Sequence, residues 1–256
     1  MKVATFNANS IRSREQIIIG WLAENQPDVL CVQETKAQDK DFPVEAFKKT
    51  GYEFVFKGEK SYNGVAIFSK HKITDVQYGL DSEPRDEARM IKAQTGGVVV
   101  INTYVPQGFE MESEKYQYKL NWLKRLLRYF DKNFKPTDKM LWTGDFNIAY
   151  EAKDVYDPVR LEGTVCFNKQ LSKVFDKFTE WGFTDLFRKH CDEAGQFTFW
   201  DYREPNGVKR NHGWRLDYIM GTEPMAKKCT KCYVDKKPRM LEKPSDHTFL
   251  VAEFGN

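Results

Sequence analysis

Short runs of apolar and β-branched residues at 3–6, 29–32, 65–68, 98–104, 140–142, 216–220 and 249–254 alternate with segments of helical period, which predicts a mixed α and β domain. The clearest helix starts near Ser113. From there Tyr116, Leu120, Leu123, Leu127, Phe130 and Phe134 recur at spacings of three and four, one apolar stripe with Lys and Arg on the opposite face. A second helix is expected from near Ser13, where Gln16 completes a capping box; it carries Ile17, Trp21 and Leu22 and stops before Pro27. A third runs from about Asn168 to Trp181 and ends at Gly182, a residue suited to a helix C-cap. Gly96-Gly97 falls between apolar runs at 90–95 and 98–104 and predicts a hairpin, so part of the sheet should be antiparallel. No repeat, low-complexity tract or linker interrupts this pattern, and 256 residues suit a single domain covering 1–256.

Composition narrows the class. A formal charge of +3 is too small to name a partner, but residues 203–243 hold eleven Lys and Arg against five Asp and Glu. A basic face drawn largely from the C-terminal fifth is therefore expected. The opening MKVATFNANS lacks the apolar core of a signal peptide, and no stretch approaches the roughly 20 apolar residues of a membrane span. A cytoplasmic protein with no membrane partner is expected. Five cysteines without framework spacing argue against a disulfide-stapled fold. Cys229 and Cys232 form one C-x-x-C, without the second pair or nearby histidines that zinc wants, and read as a surface thiol pair.

Several strand candidates end on a polar group suited to metal or phosphate chemistry: Asn7, Glu34, Tyr104, Asp145 with Asn147, and Asp217. Strands of one sheet layer often bring such ends to a common edge, where open sheets bind ligands. Glu34 with Asn7, Asn9 and Asp145 offers hard oxygen donors of the kind magnesium takes. Asp145 and Asn147, two apart after Gly144, point the same way on extended backbone. The acid can take a proton from water, and the amide can hold a phosphate oxygen or that water. His247, just before the last strand, suits a phosphate contact or the orientation of water, with a buried acid such as Asp217 fixing its ring and holding it protonated.

The ordered series Gln33-Glu34-Thr35-Lys36, Tyr62-x-Gly64-Val65-Ala66, Tyr104-Val105-Pro106, Gly144-Asp145-Phe146-Asn147, Phe197-Thr198-Phe199-Trp200, Gly213-Trp214-Arg215-Leu216-Asp217-Tyr218 and Ser245-Asp246-His247 resembles the exonuclease III and apurinic/apyrimidinic (AP) endonuclease family. The resemblance runs from Val3 to the C-terminus. It implies an α+β fold, a four-layer α/β/β/α sandwich with two mixed sheets inside and helices outside. It implies a monomeric DNA-repair phosphodiesterase that cuts duplex DNA 5′ to abasic sites and leaves a 3′-hydroxyl, with 3′ to 5′ exonuclease or 3′ end-cleaning activity beside it. Magnesium, with manganese as a substitute, would be held by Glu34, Asn7, Asn9, Asp145 and Asp246. Tyr104, Asp145, Asn147, Asp217 and His247 would be catalytic: Tyr104 and His247 on the phosphate, Asp145 on the water, Asp217 orienting His247. Lys36, Tyr62, Phe199, Trp200, Asn211, Trp214 and Leu216 would contact substrate, with Phe199, Trp214 and Leu216 forming an apolar pocket for the extruded sugar.

The chain departs from the family pattern in three places. Asn9-Ser10 stands where an Asn-Gly or Asp-Gly is usual, Thr164-Val165-Cys166-Phe167 replaces N-A-G-F, and His212 occupies a position more often small and apolar. A superfamily phosphodiesterase or phosphatase acting on phosphoinositide or sphingomyelin is the rival enzyme, but no amphipathic membrane-facing segment supports it. A non-catalytic damaged-DNA-binding module should lack Glu34, Asp145 or His247, and all three are present.

Overall fold

The computed structural model of the chain describes residues 1–80 and 88–255. Two six-stranded sheets lie face to face. One has the order β11 (Cys229–Asp235), β12 (Phe249–Phe254), β1 (Lys2–Asn7), β2 (Val29–Gln33), β4 (Val65–Ser69), β3 (Glu53–Lys57). The other runs β5 (Thr74–Tyr78), β6 (Met90–Thr95), β7 (Val98–Tyr104), β8 (Met140–Asp145), β10 (Asp217–Gly221), β9 (Thr184–Asp185). The pairs β1–β2 and β7–β8 are parallel and the others antiparallel, so both sheets are mixed.

Central strands such as β2, β4 and β8 are buried on both faces, which is why they read as unbroken apolar runs. Val3, Cys31 and Ile67 from one sheet meet Ile91, Val100, Leu141 and Ile219 from the other in a shared core. The outer face of the first sheet, with Phe6, Leu30 and Phe68, packs under α1 (Glu15–Asn25) and α2 (Val44–Lys48) through Ile18, Trp21 and Phe47. That of the second, with Ile101, Trp142 and Tyr218, packs under α3 (Glu114–Asn133) and α5 (Lys169–Trp181) through Leu123, Phe130, Phe175 and Phe178. The result is the expected four-layer sandwich. Short helices α4 (Pro158–Leu161), α6 (Leu186–His190), α7 (Gly207–Arg210) and α8 (Glu223–Lys228) punctuate the connections.

Helix boundaries follow local chemistry. Ser113 Oγ accepts the Tyr116 N–H at 3.2 Å, and Asn168 Oδ1 accepts those of Gln170 and Leu171, caps worth about 1 kcal/mol each. The first helix corrects its expectation. It begins at Glu15 after Arg14, no capping box forms, and the Ser13 hydroxyl instead pairs with Ser10 in the preceding turn. Ile18 rather than Ile17 is fully buried there. On α3 the apolar arc is wider than the expected stripe, taking in Trp122, Leu126 and Tyr129, and Lys119 is buried inside it instead of facing solvent.

Two further expectations change. Cys229 and Cys232 are buried, not a surface pair. Residues three apart on a regular strand face opposite ways, but a bulge between Cys229 and Lys231 resets the phase and turns both inward. The basic C-terminal fifth is also divided. β10 carries the chain from Asp217, opposite Asp145, to Gly221, opposite Leu141, so α8 with Lys227 and Lys228 lies at the other end of the sheet from Asp145. Arg215 points into the core.

Candidate active site

The polar strand ends do meet at one edge, but from both sheets rather than one. In the second sheet Tyr104 pairs with Asp145 and Asp145 with Asp217, three neighbouring strands in register. In the first sheet Asn7 pairs with Gln33, which leads into Glu34. β8 approaches β7 so closely at Gly144 that a Cβ there would fall 1.9 Å from the Thr103 carbonyl oxygen, so glycine is required just before the acid.

His247 is buried beside Asp217, with Nδ1 at 2.7 Å from Asp217 Oδ2 and Nε2 at 3.8 Å from Asp145 Oδ2. Burial opposes its charge, but the Asp217 carboxylate, then Asp145, outweighs this and raises its pKa to about 10. The ring is therefore an imidazolium at neutral pH. Thr198 fixes the acid's backbone: its hydroxyl oxygen accepts the N–H groups of Leu216 and Asp217. Behind it, the Arg215 guanidinium bonds Asp154 at 2.7 and 3.0 Å and Asp185 at 2.8 Å. Removing one partner from such a buried set costs about 3–5 kcal/mol, so Arg215 anchors the segment that carries Trp214, Leu216 and Asp217.

Asp145 feels the opposite balance. Burial, with the Asp217 and Glu34 charges, raises its pKa to about 7 against the attraction of His247. Its Oδ1 accepts the Asn147 N–H at 2.9 Å, and its Oδ2 accepts the Asn7 amide at 2.8 Å. Glu34 stays ionised: burial would raise its pKa, but Lys36 at 2.7 Å and bonds from Asn7 and Lys36 bring it below the usual range. Tyr104 stays protonated, because burial and the Glu34 and Asp145 charges push its hydroxyl well above the phenol range.

Asn7 and Asn9, expected beside the metal, are both hydrogen-bonded to the acids around the site. The Asn7 amide nitrogen bridges Glu34 and Asp145, and its oxygen accepts the Asn9 N–H, so no amide oxygen of Asn7 faces the acids. Asn9 is likewise engaged, donating to Asp246 Oδ1 and accepting from Lys36. Both asparagines lie hydrogen-bonded between charged groups. Of the expected set, Glu34, Asp145 and Asp246 line the cleft with their carboxylates. Asp145, Asp217 and His247 also bring ligand atoms within 4.8 Å of one another; His247 would have to give up its proton to join such a set, so at neutral pH the carboxylates are the donors offered to a divalent cation. Two observations fit such an ion: the burial and the neighbouring acid charges that lift Asp145, and an Asp217 Oδ1 with no hydrogen-bond partner among the described residues. The Cys166 thiol, pushed up by burial, stays protonated and is a poor ligand.

Glu34, Tyr104, Asp145, Asn147, Asp246 and His247 line a cleft of about 500 Å³. Phe199, Trp214, Leu216 and Val165 line it too and pack in one apolar cluster, with the Phe199 ring 4.8 Å from that of His247. Two backbone bonds of 2.9 Å tie Phe199 to Trp214, which sets the rings on one wall. Four expected substrate contacts lie outside this lining. Lys36 is held by Glu34 and Asn9, and Tyr62 is exposed. Trp200 is buried and donates its indole N–H to Asn211 Oδ1, while Asn211 donates to the Gly195 carbonyl, so this pair braces a loop. His212 meets Glu204 at 3.0 Å and stacks on Tyr156. Sequence reasoning misses Gln107, Phe109, Asp201 and Arg203, which also line the cleft, and the supports Thr198, Arg215 and Lys119. Thr198 and Arg215 stand inside the family motifs; nothing local marks the others.

Residues 4–247 match a family model described as the endonuclease/exonuclease/phosphatase family. The chain is 30% identical to exodeoxyribonuclease III of Haemophilus influenzae, over 99% of this chain and 100% of the relative. Among solved structures, an AP endonuclease from Archaeoglobus fulgidus is 50% identical with a TM-score of 0.98, covering 100% of both chains. A 3′ phosphatase from Neisseria, bound to product DNA hairpin, is 35% identical with a TM-score of 0.95 and the same full coverage.

Proposed function

The chain belongs to the exonuclease III and AP endonuclease family, and from that premise we propose that it is a magnesium-dependent DNA-repair nuclease that hydrolyses the backbone 5′ to abasic sites, leaving a 3′-hydroxyl. The observation that carries the reading is the His247–Asp217 pair aimed at Asp145 beside an apolar wall. His247 and Tyr104 offer a cationic and a neutral donor to phosphate oxygens. Asp145, with a pKa near 7, suits a group that aligns water and takes its proton, and the Asn147 amide beside it suits the same phosphate. Glu34, Asp145 and Asp246 would hold magnesium, which would offset charge on the leaving oxygen. The apolar wall of Phe199, Trp214 and Leu216 suits a baseless sugar, the nucleotide least costly to extrude because it has no base stacking to lose. The Neisseria relative supports 3′-end processing as a second activity of the same site. An end-labelled duplex with one abasic site should yield a single product ending in 3′-hydroxyl, lost in EDTA and restored by magnesium. Full activity in EDTA, or restoration by zinc alone, would remove the reading.

Selectivity should reside in the wall. Trp214→Ala or Phe199→Ala should weaken abasic incision several-fold more than 3′-end cleavage, since trimming the pocket admits a based nucleotide at the usual unstacking cost of a few kcal/mol. Arg203→Glu should instead lower both activities and flatten the salt dependence of binding, by about 0.9 in log–log slope for each phosphate no longer neutralised, because such charge pairing carries no lesion information. Lys227→Glu, at the far end of β10, should change neither. Aromatic variants that keep the wild-type preference would assign those rings to the core.

A further inference from the structure

Lys119 is fully buried, yet it is a cation on the apolar face of a core helix. Its ammonium donates to three backbone carbonyls: Gln107 at 3.2 Å, Asn147 at 2.7 Å and Val165 at 2.9 Å. Three donors meet three acceptors, so nothing is left over for solvent or substrate. The acceptors belong to three separate loops, after β7, after β8 and before α5, and all three residues line the cleft. Burial lowers the pKa of the amine, against the attraction of Asp145 among others. An apolar side chain would fill this core position at less desolvation cost, so a lysine here serves the loops more than the core.

The Asn147 loop shows why three anchors matter. Asn147 is left-handed, with φ at 51°, a conformation that in a non-glycine residue persists only when its surroundings over-determine it. Its N–H donates to Asp145 Oδ1, its side-chain amide donates to the Val105 carbonyl at 3.0 Å, and its own carbonyl accepts from Lys119. The Val165 anchor lies in the Thr164–Phe167 segment that departs from the family pattern.

We propose that Lys119 is a positioning residue for the cleft, whose ammonium holds the Gln107, Asn147 and Val165 loops at the spacing that presents the Asn147 side chain to a phosphate. This rests on the site being the phosphodiesterase centre proposed above. Lys119→Met should lower kcat on an abasic duplex about thirtyfold with KM changed less than about threefold, because the interaction it supports acts on the transition state. Adding Asn147→Ala to Lys119→Met should cost less than about threefold more, since the second change acts on a unit already released. Lys119→Arg keeps the charge, but its planar fork does not converge on three carbonyls, so it should lose about fivefold in kcat at temperatures well below its own melting point. That variant carries the test if Lys119→Met does not fold. A Lys119→Met or Lys119→Arg enzyme with wild-type kcat, or defects of Lys119→Met and Asn147→Ala that multiply, overturns the inference while the wild type's incision of the duplex leaves the proposed function standing. A wild type that leaves abasic and 3′-end substrates intact overturns both.

Discussion

Replacing His247 by alanine should lower kcat for abasic incision by at least about a hundredfold, because a fixed, buried imidazolium is worth far more to a developing phosphate charge than to the bound ground state. Asp217→Ala should match it, since Asp217 Oδ2 at 2.7 Å is what orients the ring and keeps it charged. The double variant should be little worse than either single one. Truncating His247 also leaves Asp217 buried without its cation, so the melting temperature should fall by several degrees, and rates belong at temperatures where the variants are folded. The pH profile gives a second readout. His247 has its folded pKa raised from the ordinary 6.5 to about 10, so its pairing stabilises fully below about 6.5 and is lost as pH rises through about 10. Activity that needs the imidazolium should fall on that alkaline limb, and Asp217→Asn should shift the limb toward neutrality. Defects of His247→Ala and Asp217→Ala that multiply, or an unmoved limb in Asp217→Asn, would show that Asp217 does not act through the histidine.

That pair is legible in the sequence for a physical reason. A residue at a strand end and one just before the final strand are both tied to sheet register, and register is what apolar periodicity encodes. Asp145, Asp217 and Tyr104 fall opposite one another because β7, β8 and β10 are neighbours in register, so naming the strands nearly amounts to naming the site. The same logic fails where burial and polarity disagree. Lys119 reads as solvent-facing on composition, yet it sits three residues after Tyr116, inside the buried arc of α3, because its three carbonyl partners come from loops whose course no local pattern describes. Cys229 and Cys232 read as surface thiols because a bulge is invisible to a period-two count. Lys227 and Lys228 group with the cleft by their closeness to it in sequence, whereas β10 carries them the length of the sheet away. Asn7 reads as an oxygen donor, and only the bond from the Asn9 N–H shows that its nitrogen faces the acids. Edge strands β3 and β5 escape the apolar pattern because their residues are mixed and half-exposed, as unpaired edges require.

Asp145→Asn should separate catalysis from stability more sharply than any other single change. The amide cannot take a proton from water, so kcat should fall by about a thousandfold or more, in line with the loss of a general base together with a ligand for the metal. Folding should respond in the opposite direction. Asp145 has its carboxyl raised from the ordinary carboxylate range to about 7 by burial and by the Asp217 and Glu34 charges. A raised folded pKa means that its contribution is most favourable below the unfolded pKa, near 4, and is lost as pH rises through about 7. The full linkage, already net of the attraction of the His247 imidazolium, is on the order of 4 kcal/mol above pH 7 and sets the ceiling on the gain. For a chain of this size that ceiling is roughly 8–16 °C in melting temperature. In EDTA the variant should therefore melt above the wild type at pH 8, with the gap shrinking steadily as the pH is lowered toward 4, where both carry a neutral group at this position. Magnesium should narrow the gap at pH 8, because only the wild type has the carboxylate that would share the cation. A variant that melts below the wild type at pH 8, or a gap that does not change with pH, would mean that the carboxyl is not held near neutrality and that Asp145 enters the reaction already ionised.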